Sequence, residues 1–483
     1  MNLEKVAVKG VLWSFLEKWG GQLISTTVFL LLARLLGPEA FGLTALASVV
    51  VAFMSSFVEQ GFVPAIIQRE DLEPAHLDTA FWTSIAIGLI LMVGTILASG
   101  QIAVFLGEPK IRPIVQWFSI VFLFIALQSV QNAILRRNFA FKSLAFRSLV
   151  ATFSSGGISV VLAFMGFGVW SLVAQQLINR GVNVLMLWGA SPWRPGFNVS
   201  RKHFKDLFAF GVYEMGVNFL RFFNRRSDDF LIGYFLGPVA LGYYTVAYRL
   251  LLLMVNIFTN VTTTVALPTF SRLQQDPVRM KKAFYKATQL TSFISFPAFS
   301  GVFILAPELV NVMFGDNWEA SIPVMQVLVM AGILQSVSYF NATVMLAKGK
   351  PSWRLILNCF NAVLNVIGFM IAVDHGIVAV AIAFVISNYL LVPAHLWILK
   401  QLADVHFREY FRRYIGPLVA SVLMVIQIYF LKRWLGSDIS DIAVLSASTV
   451  TGALSYGVAV FLFDRKLFDQ VLGMANNVVR AAR

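Results

Sequence analysis

Nothing constrains this chain more than its succession of apolar runs. Each is about 20 residues long, the length a helix needs to cross a hydrocarbon core of roughly 30 Å. Fourteen such runs can be read between residues 11 and 463, among them 41–67, 206–235 and 288–312. In lipid every backbone N–H and C=O must find its partner inside the protein, so runs of this length dictate helices. With 58% hydrophobic and only 13% charged residues in 483, the chain has too little polar surface for a water-soluble fold. The expected fold class is all-α and polytopic, with about 14 transmembrane helices. The first run is too long for a signal peptide and lacks a small-residue cleavage site. A single cysteine, Cys359, excludes an intramolecular disulfide.

The chain also echoes itself. Leu36-Gly37-Pro38-Glu39-Ala40-Phe41-Gly42 returns as Leu236-Gly237-Pro238-Val239-Ala240-Leu241-Gly242. Pro113-Ile114-Val115-Gln116 is answered by Pro323-Val324-Met325-Gln326, and Leu127-Gln128-Ser129-Val130 recurs as Leu334-Gln335-Ser336-Val337. The echoes keep their order. Two homologous bundles in one membrane chain are the architecture of alternating-access transporters, whose substrate site lies between the repeats. The expected organisation is an N-terminal six-helix lobe over 1–200 and a C-terminal six-helix lobe over 201–403. Two additional helices and a tail follow over 404–483. Six is even, so the lobes share one orientation and the repeat is parallel.

The net charge of +14 would suggest a nucleic-acid partner in a soluble chain, but its distribution gives a different reading. With the N-terminus cytoplasmic, most Lys and Arg fall in inner loops, and only Lys110, Arg112, Lys432 and Arg433 in outer ones. The inner groups are dense: Arg136, Arg137, Lys142 and Arg147; Arg194, Arg201, Lys202 and Lys205; Arg272, Arg279, Lys281, Lys282 and Lys286. This is the positive-inside pattern, with both termini cytoplasmic and anionic membrane lipids as partners rather than nucleic acid.

Charged residues at membrane depth are costly and mark functional candidates. In the seventh run, Glu214, Asn218, Arg221, Arg225 and Asp228 recur at spacings of 4, 3, 4 and 3 and share a helix face, with Arg226 and Asp229 flanking it. One reading is a cavity-lining stripe. The other is internal pairing of Arg225 with Asp228 or Asp229, which would stabilise the helix and nothing more. Lys18, Arg180 and Arg249 are further cavity candidates. Glu17 beside Lys18 leaves mutual neutralisation open, and Asn358, Asn361 and Asn365 read as interhelical hydrogen-bond glue. Glu59, Glu214, Asp228 and Asp229 are candidates for exchanging a coupled ion. Basic groups exceed acids at membrane depth: Arg180, Arg221, Arg225 and Arg249 stand against Glu59, Glu214, Asp228 and Asp229, with Lys18, Arg34 and Arg226 extra. A planar fork suits phosphate oxygens, so an anionic, phosphate-bearing substrate is expected.

No phosphate-binding loop, H-E-x-x-H or G-x-S-x-G motif is present. The five histidines (His76, His203, His375, His395, His406) show no ligand spacing, so no metal site and no cofactor is expected. A glycan polymerase or ligase would need a large outer loop for catalysis, and all outer loops are short. The chain reads as a transporter and not an enzyme.

Several segments carry a family resemblance. They are Ala33-Arg34-Leu35-Leu36-Gly37-Pro38-Glu39-Ala40-Phe41-Gly42, Glu59-Gln60-Gly61-Phe62, Asp229-Phe230-Leu231-Ile232-Gly233-Tyr234-Phe235-Leu236-Gly237 and Leu241-Gly242-Tyr243-Tyr244. Leu267-Pro268-Thr269-Phe270-Ser271-Arg272-Leu273-Gln274 and Met313-Phe314-Gly315-Asp316-Asn317-Trp318 complete the set. In this order they resemble the Wzx-type polysaccharide flippases of the MOP superfamily, closest to the colanic-acid and exopolysaccharide exporter branch. The resemblance implies two six-helix lobes in a V shape plus two C-terminal helices. It also implies flipping of polyprenyl-diphosphate-linked oligosaccharide repeat units across the bacterial inner (cytoplasmic) membrane by alternating access. H+ or Na+ would be the coupled cation, and polysaccharide polymerase or export machinery the protein partner. Lipid II flipping and a MATE-type cation or multidrug antiporter are the alternatives.

Overall fold

A computed structural model describes residues 3–58, 62–436 and 439–482, with side chains described outside 3–12, 209–215, 217, 221, 260–265 and 474–482. No strand occurs among the described residues. The first eight helices are α1 (Leu3–Leu35), α2 (Pro38–Val58), α3 (Phe62–Gln68), α4 (Pro74–Phe105), α5 (Ile111–Phe118), α6 (Ile120–Arg137), α7 (Phe141–Phe164) and α8 (Val169–Ala190). Then come α9 (Arg201–Phe235), α10 (Gly237–Arg272), α11 (Pro277–Ile304), α12 (Ala306–Met313), α13 (Ser321–Ala347) and α14 (Pro351–Ala372). The last are α15 (Ile377–Leu390), α16 (Val392–Ala403), α17 (Phe407–Leu435), α18 (Asp441–Phe463) and α19 (Arg465–Ala482).

Eleven helical stretches are long and apolar enough to cross a membrane, with α5–α6 and α15–α16 each forming one stretch. α1, α8 and α9 are further long helices, so the structure is compatible with the expected fourteen spans. The chain is a multi-pass membrane protein. One run is broken where a single helix was expected: α11 stops at Ile304 before α12. Pro307 explains the break: in the first turn of α12 its missing N–H costs nothing, whereas inside a longer helix it would remove a bond.

The duplication is visible in the backbone. α6 leaves through Phe139 (φ 54°) and α13 through Gly349 (φ 67°), 210 positions apart. Gly168 (φ 54°) opens α8 and Gly376 (φ 92°) opens α15, 208 apart, and Gly107 (φ 66°) pairs with Gly315 (φ 92°) at the same separation. The helix starts at Ile111 and Ser321 are again 210 apart. Against this register the Leu-Gln-Ser-Val echo, 207 apart, is displaced by three residues, just under one helical turn. It is a weaker marker of the repeat than the turns are.

The repeated Gly-Pro turns meet. A Cβ on Gly42 would lie 1.6 Å from the Pro238 carbonyl oxygen, and a Cβ on Gly242 would lie 2.0 Å from that of Pro38. Each copy supplies both the glycine and the carbonyl, a reciprocal contact of the kind two-fold related elements make. Glycine is required there because backbone approaches backbone.

Packing divides the chain into two compact units, Met1–Gly242 and Tyr243–Arg483. The expected lobe boundary at 200/201 and this packing boundary differ because α9 packs on α2, α3 and α4. In the first unit the 191–200 connection is stitched to α4. Asp78, buried, accepts from the backbone N–H of Gly196 at 2.9 Å and of Asn198 at 3.3 Å. Trp82 donates to the Gly196 carbonyl at 2.7 Å and stacks on Phe197. Arg137, in the last turn of α6, caps α3 by donating to the carbonyls of Ile66, Arg69 and Glu70.

In the second unit α17 packs on α11, placing Tyr410 and Tyr414 in one core with Phe284 and Phe296. Lys432 of α17 reaches Glu308 of α12 at 2.6 Å. The last two long helices are therefore built into this unit's core.

Candidate functional site

The first unit contains a cavity of about 490 Å³ where the cationic ends of α6 and α7 converge with α8. Arg136, Arg147 and Arg180 line it, with Asn132, Asn183 and Asn218, Gln128, Ser129 and Ser148. Val58, Phe62, Val63, Pro64 and Ile125 supply its apolar part, and no carboxylate lines it among the described residues. Arg136 Nε donates to Asn132 Oδ1 at 3.2 Å, one turn back on α6. Asn183 donates to the carbonyl of Asn179, which in turn donates to Ser155 Oγ at 3.3 Å, fixing α8 on α7. Arg147 is half-buried, and its Nε has no hydrogen-bond partner among the described residues. The charges acting on it are Glu17 of α1 and the two other arginines. Three guanidinium groups in a space fringed by amides make an anion site with room for polar groups beside the anion.

The seventh-run stripe divides in the structure. Asn218 lines the cavity, whereas Arg225 is exposed and is not among its lining residues. Asp228 and Asp229 are buried. Asp229 pairs at 2.9 Å with Arg226, an i,i+3 partner, in place of the expected Arg225. Asp228 Oδ1 accepts the Asp229 backbone N–H. The side chains of Glu214 and Arg221, and the whole of Glu59, lie outside what is described. Of the other candidates Arg180 belongs to the cavity, while Lys18 and Arg249 are exposed elsewhere.

Sequence reasoning missed Arg136 and Arg147 by assigning them to an inner loop. The structure puts Arg136 in the last turn of α6 and Arg147 in the second turn of α7. The available signal was the adjoining Gln128 and Asn132, which stack with Arg136 at intervals of four on α6. The histidines also need correction. His76 and His203 show no ligand spacing in the sequence, but their rings are 4.3 Å apart, and with Glu73 they form a cluster of potential ligand atoms. Residues more than a hundred positions apart give no spacing signal.

The family described as "Polysaccharide biosynthesis protein" matches residues 31–323, more than half of the sequence. The chain belongs to that family. Its relatives include the succinoglycan biosynthesis transport protein ExoT of Rhizobium meliloti, 28% identical over 98% of this chain and 96% of ExoT. The teichuronic acid biosynthesis protein TuaB of Bacillus subtilis is 25% identical over 88% of each chain. The lipopolysaccharide biosynthesis protein WzxC of Escherichia coli is 23% identical over 98% of this chain and 96% of its own. Among solved structures, the lipid II flippase MurJ in an inward closed conformation superposes with a TM-score of 0.77 at 16% identity, over 95% of this chain and 99% of MurJ. An inward-facing MATE transporter of the MOP superfamily gives 0.64 at 17% identity, over 79% and 95%. The chain therefore has a MurJ- and MATE-like fold, and the Wzx-type resemblance read from the sequence stands.

Proposed function

We propose that the protein flips a polyprenyl-diphosphate-linked oligosaccharide across the bacterial cytoplasmic membrane by alternating access, with both termini cytoplasmic. The observation that carries this reading is the cavity lined by Arg136, Arg147 and Arg180 together. A diphosphate carries charge on several oxygens, and three forked donors satisfy them with charge-assisted hydrogen bonds. The amides of Asn132, Asn183 and Asn218 suit the hydroxyls of the sugar next to it. The lipid tail remains in the bilayer. The ExoT, TuaB and WzxC relatives support an export role in glycan synthesis. A MATE-type site for organic cations is disfavoured, because bare guanidinium groups repel such substrates.

Coupling to H+ or Na+ remains part of the proposal, since the described residues contain no nucleotide-binding loop to drive transport. It requires a site whose affinity differs between the two states. Asp229 is a poor candidate while Arg226 occupies it. The test is surface-glycan export in cells that depend on this gene. Arg147→Ala and Arg180→Ala should lose export while protein level and membrane insertion are retained, and Arg147→Lys should keep only part of it. Full export by both alanine variants would refute the assignment of the cavity.

A further inference from the structure

The junction between α4 and α9 holds a polar cluster that the export reading does not use. His76 sits in the first turn of α4 and is 1% exposed. Its Nδ1 accepts the backbone N–H of Glu73, the N-cap residue, at 3.2 Å, which completes a reciprocal capping box. Because Nδ1 is the acceptor, the neutral ring must carry its proton on Nε2. That Nε2 is buried without a hydrogen-bond partner, 3.8 Å from Asp206 Oδ2 of α9. His203, also on α9, meets the His76 ring edge-on at 4.3 Å and contacts Glu73 Oε2 through Nε2 at 3.2 Å. Arg69 pairs with Asp206 at 3.3 Å. Arg69, Glu73, His203 and Asp206 are the charged and titratable groups facing His76.

We propose that His76 is a proton-binding site whose occupation unlocks the α4–α9 junction. A proton can add only at Nδ1, and it turns the acceptor of the Glu73 N–H into a second donor facing it. The cap is lost. The new charge also lies beside the Arg69 guanidinium. Glu73 and Asp206 reduce the cost of that charge, but neither returns a partner to the Glu73 N–H. The same tautomer argues against a metal at this cluster: with Nδ1 accepting and Nε2 protonated, His76 offers no lone pair to an ion. The inference does not depend on the identity of the transported molecule.

The test is amide hydrogen exchange of the full-length protein in lipid nanodiscs, read by mass spectrometry and corrected for the intrinsic pH dependence of exchange. Between pH 8 and pH 5.5, peptides covering 73–80 and 201–207 should lose protection by about fivefold, the size of one helix cap. His76→Gln should abolish that loss, because glutamine at this position can accept the same N–H yet does not titrate. His203→Gln should retain it. A His76→Gln profile that follows the unsubstituted protein would overturn the proposal. So would zinc chloride at pH 8 raising protection in the unsubstituted protein but not in His76→Gln, since that requires a free lone pair on His76.

Discussion

The two repeats share a backbone but not a charge. In the first, Arg136, Arg147 and Arg180 converge on one cavity. In the register set by the positive-φ turns, the second repeat places Leu346, Leu357 and Asn388 at those positions. Leu357 is buried with Met345 and Ile398. Asn388 is held by the Phe384 carbonyl at 2.8 Å and by Gln335 at 3.5 Å. Duplication supplies a helical scaffold twice, whereas a binding site for an anionic group is needed once. Arginines grouped this closely repel one another, a cost that a bound anion would offset. Three kept together in one repeat and absent from the other point to use rather than to architecture.

This contrast can be broken from either side. The largest effect is expected for Leu357→Arg, which puts the first repeat's charge into the second repeat's apolar core. Burying that cation unpaired should cost several kcal/mol, seen as a loss of folded protein or a large drop in Tm in detergent. An unchanged Tm would show that the two positions are not equivalent. Next come the places where the repeats are alike. Gly42→Ala and Gly242→Ala each force a methyl group into a carbonyl of the other copy, at a cost of about 1–3 kcal/mol. Thermal unfolding should show similar losses for both, and a loss in only one would deny the reciprocity.

The smallest effect sharpens the comparison of turns. Phe139 holds a left-handed conformation that Gly349 holds without strain in the second repeat. Phe139→Gly should therefore raise stability by up to about 1 kcal/mol, measured as a small increase in Tm. A decrease would mean that the Phe139–Phe141 ring contact outweighs the backbone strain.

The fold was legible because membrane helices announce themselves locally: length and apolarity mark each span without knowledge of its neighbours. The Gly-Pro echo was legible for a similar reason, since a tight approach of two backbones leaves glycine no substitute. The site was only partly so. Helical spacing placed Asn218 on a polar face, and Arg180 stood out in an apolar run. Arg136 and Arg147 flank a turn, and hydropathy assigns charges near a turn to a loop. Nothing local indicates that the two helices leaving that turn aim both side chains into one cavity. Asp229 pairs with Arg226 rather than Arg225, a choice the sequence left open because i,i+3 and i,i+4 partners on one helix are nearly equivalent until rotamers are known. The His76–His203 contact depends entirely on how the 191–200 connection folds back onto α4.

The central claim, that the arginines of the first repeat hold a diphosphate, is tested most directly by binding. Purified protein in nanodiscs would be titrated with farnesyl diphosphate, and affinity followed by intrinsic tryptophan fluorescence. Measurable binding is expected, weakened by about tenfold or more in each of Arg136→Leu, Arg147→Leu and Arg180→Leu, the size of one lost charged hydrogen bond. Equal affinity in all three variants and the unsubstituted protein would contradict the account.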